Sequence, residues 1–159
     1  MSTAQPATWQ VRLAGEADVP AAAAAVGRLL DELGGEAPPA AELEAATRVL
    51  VERPEAGALL VAEAEGELIG VLAASWLHAI HVPGSYGVIQ DLWVDPEWRS
   101  RAIGHDLVEA FAVLAREQGA ARIEVGLPKE DFERIEATEA FYRRNEFVSL
   151  GVRMRRKLR

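Results

Sequence analysis

The stretch DLWVDPEWRSRAIG, Asp91 to Gly104, changes its hydrophobic period partway along. It begins as the end of a strand-like run, Tyr86 to Val94 (YGVIQDLWV), and Asp95-Pro96 marks a turn. From Ile103 the apolar residues fall at 103, 107, 111 and 114, with Val108 beside them, which is helical spacing. Gly119 closes that helix, and Arg122 to Leu127 (RIEVGL) reads as a further strand ended by Pro128. Residues 86–127 therefore form one strand–helix–strand crossover, whose two strands run parallel. The loop between strand and helix is where chemistry is expected. The first N–H groups of a helix lack intrahelical acceptors and carry partial positive charge. A loop opening into a helix start thus aims donors at an anion such as phosphate. Arg99 and Arg101 stand in this loop. The chain has no GxxxxGK[ST] and no GxGxxG with a trailing acid, so neither a P-loop nor a dinucleotide fold is indicated.

Outward from this unit the pattern stays α/β. Trp9 to Leu13 alternates as a first strand. Asp18 is a plausible N-cap with Pro20 in the first turn, and a helix runs to about Leu33, stopping at Gly34-Gly35. Its apolar stripe is Ala22, Val26, Leu29, Leu30 and Leu33. A second helix follows Pro38-Pro39 to about Glu52, with Leu43, Ala46, Val49 and Leu50 inward. Ala58 to Glu63 and Leu68 to Trp76 form a hairpin about Glu65-Gly66, and a loop around Pro83-Gly84 precedes the 86–94 strand. A helix from about Glu133 to Asn145 and a last extended stretch from Phe147 complete the order β-α-α-β-β-β-α-β-α-β. The expectation is a mixed, mostly antiparallel sheet with one parallel βαβ unit and helices on both faces.

The 159 residues fit a single domain spanning 1–159. There is no cysteine, which excludes disulfides, zinc–thiolate sites and thiol nucleophiles, and suits a reducing compartment. The N-terminus lacks signal-peptide features and no apolar run is long enough to span a membrane. The chain reads as cytoplasmic, with no membrane partner. Its net charge is −8, all of it in residues 1–67, where twelve acids face four basic residues. That half is either a solvated acidic face or a surface toward a cationic substrate. The basic end Arg153 to Arg159 alternates partly with Met154 and Leu158, as a strand with one buried face would. With the overall acidity, this argues against nucleic acid.

Residues 89–104 resemble the acetyl-CoA signature of the GNAT N-acetyltransferase superfamily, a strand and turn followed by [R/Q]-x-x-G-x-[G/A]. Here it reads Arg99-Ser100-Arg101-Ala102-Ile103-Gly104, with Ala102 in place of the middle glycine. The element order is similar to the GNAT order over nearly the whole chain. Ala140 to Phe147 (AFYRRNEF) resembles the family's h-Y-x-x-x-G-F segment, with Glu146 in place of glycine and Ile135 where many members have asparagine.

The resemblance implies an amine N-acetyltransferase. Acetyl-CoA would lie between strands 86–94 and 122–127, with its pantetheine arm along the backbone of Leu92, Trp93 and Val94. The amides of Arg99, Ser100, Arg101, Ala102, Ile103 and Gly104 would hold its pyrophosphate, with His105 contributing in the helix's first turn. Backbone N–H near Leu92 or Trp93 would polarise the thioester carbonyl. Tyr142 matches the family's frequent general acid, although its position is equally that of a core aromatic.

The base is less determined. Simple alternation puts Gln90 on one face with Leu92 and Val94, and Asp91 on the other with Ile89 and Trp93. Gln90 cannot titrate, which leaves Asp91 as base, directly or through water, or as a structural carboxylate. His78 and His81 read as exposed loop residues, and no metal site is expected. Trp76 and Trp93 are core residues or line an acceptor pocket. The acceptor is expected to be a small-molecule or peptide amine, cationic if the acids of the first two helices face it: Asp31, Glu32, Glu36, Glu42, Glu44, Glu52 and Glu55. A homodimer is common among resembling proteins. Use of another acyl-CoA, or a CoA-binding sensor or non-catalytic partner, is the alternative.

Overall fold

The computed structural model describes residues 7–158. The leader-free reading of residues 1–6 and the place of Arg159 in the basic run lie outside the described residues. The order is β1 (Gln10–Leu13), α1 (Val19–Glu32), α2 (Ala40–Glu52), β2 (Gly57–Ala64), β3 (Glu67–Ala79), β4 (Val82–Val94), α3 (Ile103–Glu117), β5 (Ile123–Val125) and α4 (Ile135–Arg144). The five strands lie in sequence order, β1 to β4 antiparallel and β5 parallel to β4. The α/β class and the single parallel crossover agree with the sequence.

Alternation of side chains sends each strand's apolar residues to two faces, and each face is covered by helices. Leu60, Ala62, Leu72 and Ile89 pack with Ile103, Leu107, Val108 and Phe111 of α3 and Tyr142 of α4. Leu59, Val61, Val71 and Trp93 pack with Ala22, Ala25, Val26 and Leu29 of α1 and with Leu50 and Val51 of α2. Phe111 sits directly on Gly87, where an added Cβ would lie 2.6 Å from its ring. A glycine there lets α3 bed onto the sheet where β4 meets β5.

Several local expectations need correction. Asp18 has helical φ and ψ and makes no side-chain cap bond to α1. Its carboxylate instead accepts the Gly15 N–H at 2.7 Å and pairs with Arg12 at 2.7 Å. Val49 is 42% exposed, because the last turn of α2 brings Leu50 and Val51, not Val49, onto the sheet. Pro83 and Gly84 lie inside β4 rather than in a loop, and the hairpin turns at Ile80-His81. Proline is tolerated there because only β3 pairs with that part of β4. The stretch after Phe147 forms no strand up to residue 158, and Met154 is 97% and Leu158 87% exposed. The expected buried face of that segment has nothing to pack on among the described residues. No helix among them is long and apolar enough to cross a membrane.

Candidate active site

β4 and β5 pair only where Gly87, Val88 and Ile89 meet Ile123, Glu124 and Val125. Beyond that point β5 has ended while β4 continues to Val94. The strand edge of residues 90–94 that faces away from β3 therefore has no strand partner among the described residues, and its Val94 carbonyl accepts from Arg99 Nε. A cleft of about 810 Å³ opens there, within the ~300–1,000 Å³ of small-ligand sites. Leu92, Trp93 and Val94 form one wall. Arg99, Ser100, Ala102, Ile103, Gly104 and His105 form a second, and Phe141, Tyr142 and Asn145 a third. Of the loop residues singled out from sequence, only Arg101 turns away, its guanidinium 5.0 Å over the Trp98 ring.

The loop is shaped by two left-handed residues, Ser100 at φ 64° and Ala102 at φ 68°. Ala102 keeps the turn that glycine makes without strain, against a methyl penalty of about 1–2 kcal/mol. Its result is a row of free donors. Among the described residues, no N–H from Ser100 to His105 donates to an acceptor. Gly104 has a packing reason as well, since a Cβ there would lie 3.1 Å from the Phe141 ring. The His105 ring Nδ1 is 2.7 Å from Asn145 Oδ1, tying the start of α3 to the end of α4.

Tyr142 is set by how α4 stops. Phe147 N–H donates to the Tyr142 carbonyl at 3.0 Å and Glu146 N–H to that of Arg143 at 3.1 Å. This is the paired bonding of a Schellman motif, with Glu146 in the left-handed position at φ 70°. Glu146, like Ala102, stands where the family pattern has glycine. The Tyr142 ring is buried edge-on between Phe141 and Phe147. Burial, and secondarily the charge of Asp91, push its hydroxyl above the ordinary tyrosine value.

Asp91 is half-buried, and desolvation pushes its carboxyl up. It does not line the cleft, whereas Gln90 does. The assignment of faces at this point is corrected by a bulge. Ala74 pairs with Ile89 and Ala73 with Asp91, so Gln90 is an extra residue. Ile89 thereby joins Leu92 and Val94 on the α3 face, while Trp93 packs toward α1.

Glu32 had no individual role in the sequence, yet it is the one acid of the first two helices that lines the cleft. Both its oxygens accept from Arg99 Nη2 at 2.8 Å, and Trp93 Nε1 donates to Oε1 at 3.3 Å. Asp31, Glu36, Glu42, Glu44, Glu52 and Glu55 lie off the cleft. His78 and His81 are exposed beside the β3–β4 turn. Trp76 stacks on Phe111 away from the cleft, which Trp93 and Trp98 do line. No cluster of three or more potential metal-ligating side chains occurs among the described residues.

Comparison with known proteins agrees with the fold. The model of the acetyltransferase (GNAT) family matches residues 27–147. A possible acetyltransferase from Clostridium difficile 630 superposes with a TM-score of 0.80 at 17% identity, covering 94% of this chain and 96% of that one. An aminoglycoside acetyltransferase from an uncultured soil metagenomic sample superposes at 0.76 with 22% identity, covering 96% and 99%. Glucosamine-6-phosphate N-acetyltransferase from Arabidopsis thaliana superposes at 0.74 with 16% identity, covering 96% and 99%. At these identities the likeness is one of fold. Among curated proteins no sequence matches significantly.

Proposed function

The chain belongs to the acetyltransferase (GNAT) family, and from that premise we propose that it transfers an acetyl group from acetyl-CoA to a primary amine of a small-molecule or peptide acceptor. The observation that carries this reading is the row of undonated N–H groups from Ser100 to His105, opening on the cleft beside the free edge of β4. Such a row fits a pyrophosphate, which needs several convergent donors and favours a helix N-terminus. The edge from Leu92 to Val94 suits an extended amide-bearing arm, taken as an added strand. Acetyl-CoA supplies an activated acyl thioester when bound.

The chain's own residues supply proton control. An alkylammonium with pKa near ~10.4 must lose a proton before its nitrogen can attack. Asp91, which stands off the cleft, is the acceptor of that proton through water, and its raised carboxyl is closer to the working range of a base than an exposed aspartate. Tyr142 donates a hydrogen bond to the departing thiolate and then its proton, and because burial makes its hydroxyl a weaker acid the phenolate left behind quickly regains a proton. The acidity of residues 1–67 favours a cationic amine, drawn in by long-range attraction. The reading includes a cytoplasmic setting. It also includes a homodimer, for which the exposed row Val148, Leu150, Val152 and Met154 offers apolar surface to a second copy. A thiol-release screen with acetyl-CoA across polyamines, aminoglycosides, amino sugars and peptide amines tests the proposal. Acetyl-dependent thiol release with an amine is the expected result. Binding of acetyl-CoA with no release on any amine would leave a sensor in its place.

A further inference from the structure

Arg99 heads the loop, and two of its three guanidinium nitrogens are held by the protein. Nε donates to the Val94 carbonyl at 3.0 Å, and Nη2 reaches both oxygens of Glu32 at 2.8 Å. Glu32 is the last residue of α1, and the chain turns away two residues later at Gly34, φ 77°. The Trp93 indole donates to the same carboxylate, and Arg28, one turn earlier on α1, lies 4.9 Å over the Trp93 ring. Three elements that wall the cleft, namely the end of α1, the end of β4 and the loop, therefore meet at one carboxylate.

From this convergence we infer that Glu32 is a positioning residue that couples the end of α1 to the loop, so that filling the loop with a phosphate ligand orders the α1 side of the cleft. The inference rests on the reading of the loop as a coenzyme A site. Both carboxylate oxygens sit on the single nitrogen Nη2, and the guanidinium's orientation is held by its second bond, from Nε to the Val94 carbonyl. Arg99 thus acts as a strut through Nε and Nη2, while the undonated backbone N–H groups of residues 100–105 open on the cleft. A shift of the loop on binding is passed through Arg99 to the last turn of α1. The pair is roughly one-third exposed on each side, 27% and 32%, so it contributes little to overall stability and the fold survives its removal. Its effect lies in the coupling between the two sides of the cleft.

Hydrogen–deuterium exchange with free coenzyme A as the probe tests this. The reporters are the amides of Leu33, Gly34 and Gly35, which close the end of α1 through the carbonyls of Leu29, Asp31 and Leu30. In the wild-type chain, coenzyme A is expected to protect amides of residues 100–105 and to slow exchange at Leu33 to Gly35 by about fivefold or more, the lower end of usual coupling. In Glu32→Ala, loop protection is expected to persist while the slowing at Leu33 to Gly35 is lost. Glu32→Gln, which keeps an acceptor but not the charge, is expected to fall between. Equal protection of α1 in Glu32→Ala and wild type would overturn the coupling, as would loop protection in the wild type with no response in α1. No protection of residues 100–105 in the wild type would instead overturn the coenzyme A reading, and the coupling with it.

Discussion

Tyr142 and Phe147 are bound to one another twice, by an N–H to carbonyl bond of 3.0 Å and by rings meeting edge to face with centroids 5.4 Å apart. The helix stop thus fixes the ring, and substitution of the hydroxyl alone leaves that packing in place. Tyr142→Phe is expected to lower kcat by on the order of 10² to 10⁴, the usual cost of losing a general acid. Coenzyme A affinity and melting temperature should change little. A kcat within about threefold of wild type would make Tyr142 a packing residue only.

Asp91 is expected to trade stability for activity. Its carboxyl value is raised in the folded chain by desolvation, so the fold disfavours the carboxylate. The destabilisation is absent below the ordinary aspartate value of ~3.9, grows as pH rises through the raised folded value, and persists above it. Asp91→Asn should therefore melt higher than wild type at pH 7, with the advantage vanishing toward pH 3–4. Its kcat/KM should fall and lose the acidic limb of the wild-type pH profile. Thermal unfolding across pH, paired with rates, checks both parts. A variant that melts lower at pH 7 would mean that the carboxylate is structurally required.

Of the four non-glycine residues at positive φ among the described residues, Ala102 and Glu146 stand where the family pattern has glycine. Each bears about 1–2 kcal/mol of strain, against about 0.4–1 kcal/mol that glycine loses through the freer unfolded chain. Ala102→Gly and Glu146→Gly should each stabilise by roughly 0.5–1 kcal/mol, raising Tm by about 1–4 °C. Their positive φ values of 68° and 70° motivate this. Calorimetric melting of the two single variants and the double decides it, since a drop in either would mean that the side chain makes up for the strain. Coenzyme A affinity in Ala102→Gly should be equal or slightly better.

Much of this was legible in the sequence because local rules suffice for it. The period change at Asp91 to Gly104 marks a strand, a loop and a helix start, and Glu65-Gly66, Gly34 and Gly119 sit at positive φ where turns and helix ends were read. What was not legible depends on partners distant in the chain. The extra residue at Gln90 leaves no mark in composition, and counting faces across it reverses Ile89. Glu32 is 67 residues from Arg99, so the sequence offered its carboxylate only as one of seven acids either solvated or facing a cationic acceptor, never as the partner of the loop arginine. The C-terminal segment alternates like a strand but finds no ladder to join.

Because six of the seven acids in and beside the first two helices stand off the cleft, any attraction they exert on a cationic acceptor acts at long range. For such an acceptor, kcat/KM is expected to fall roughly tenfold between about 10 and 150 mM salt, as screening shortens the field to ~8 Å. Coenzyme A binding through close backbone donors should respond less. Salt titration of initial rates checks this, and a neutral or anionic best acceptor with flat salt dependence would return those acids to a solubilising role.

The anion-binding loop can be read residue by residue in solution. Titrating ¹⁵N-labelled protein with coenzyme A should shift the amide resonances of Ser100 to His105, whose N–H groups have no acceptor among the described residues, more than those elsewhere in the chain. Pantetheine, which lacks the pyrophosphate, should leave them in place while still moving Leu92 to Val94. Saturable coenzyme A binding with residues 100–105 unmoved would contradict the assignment of this loop.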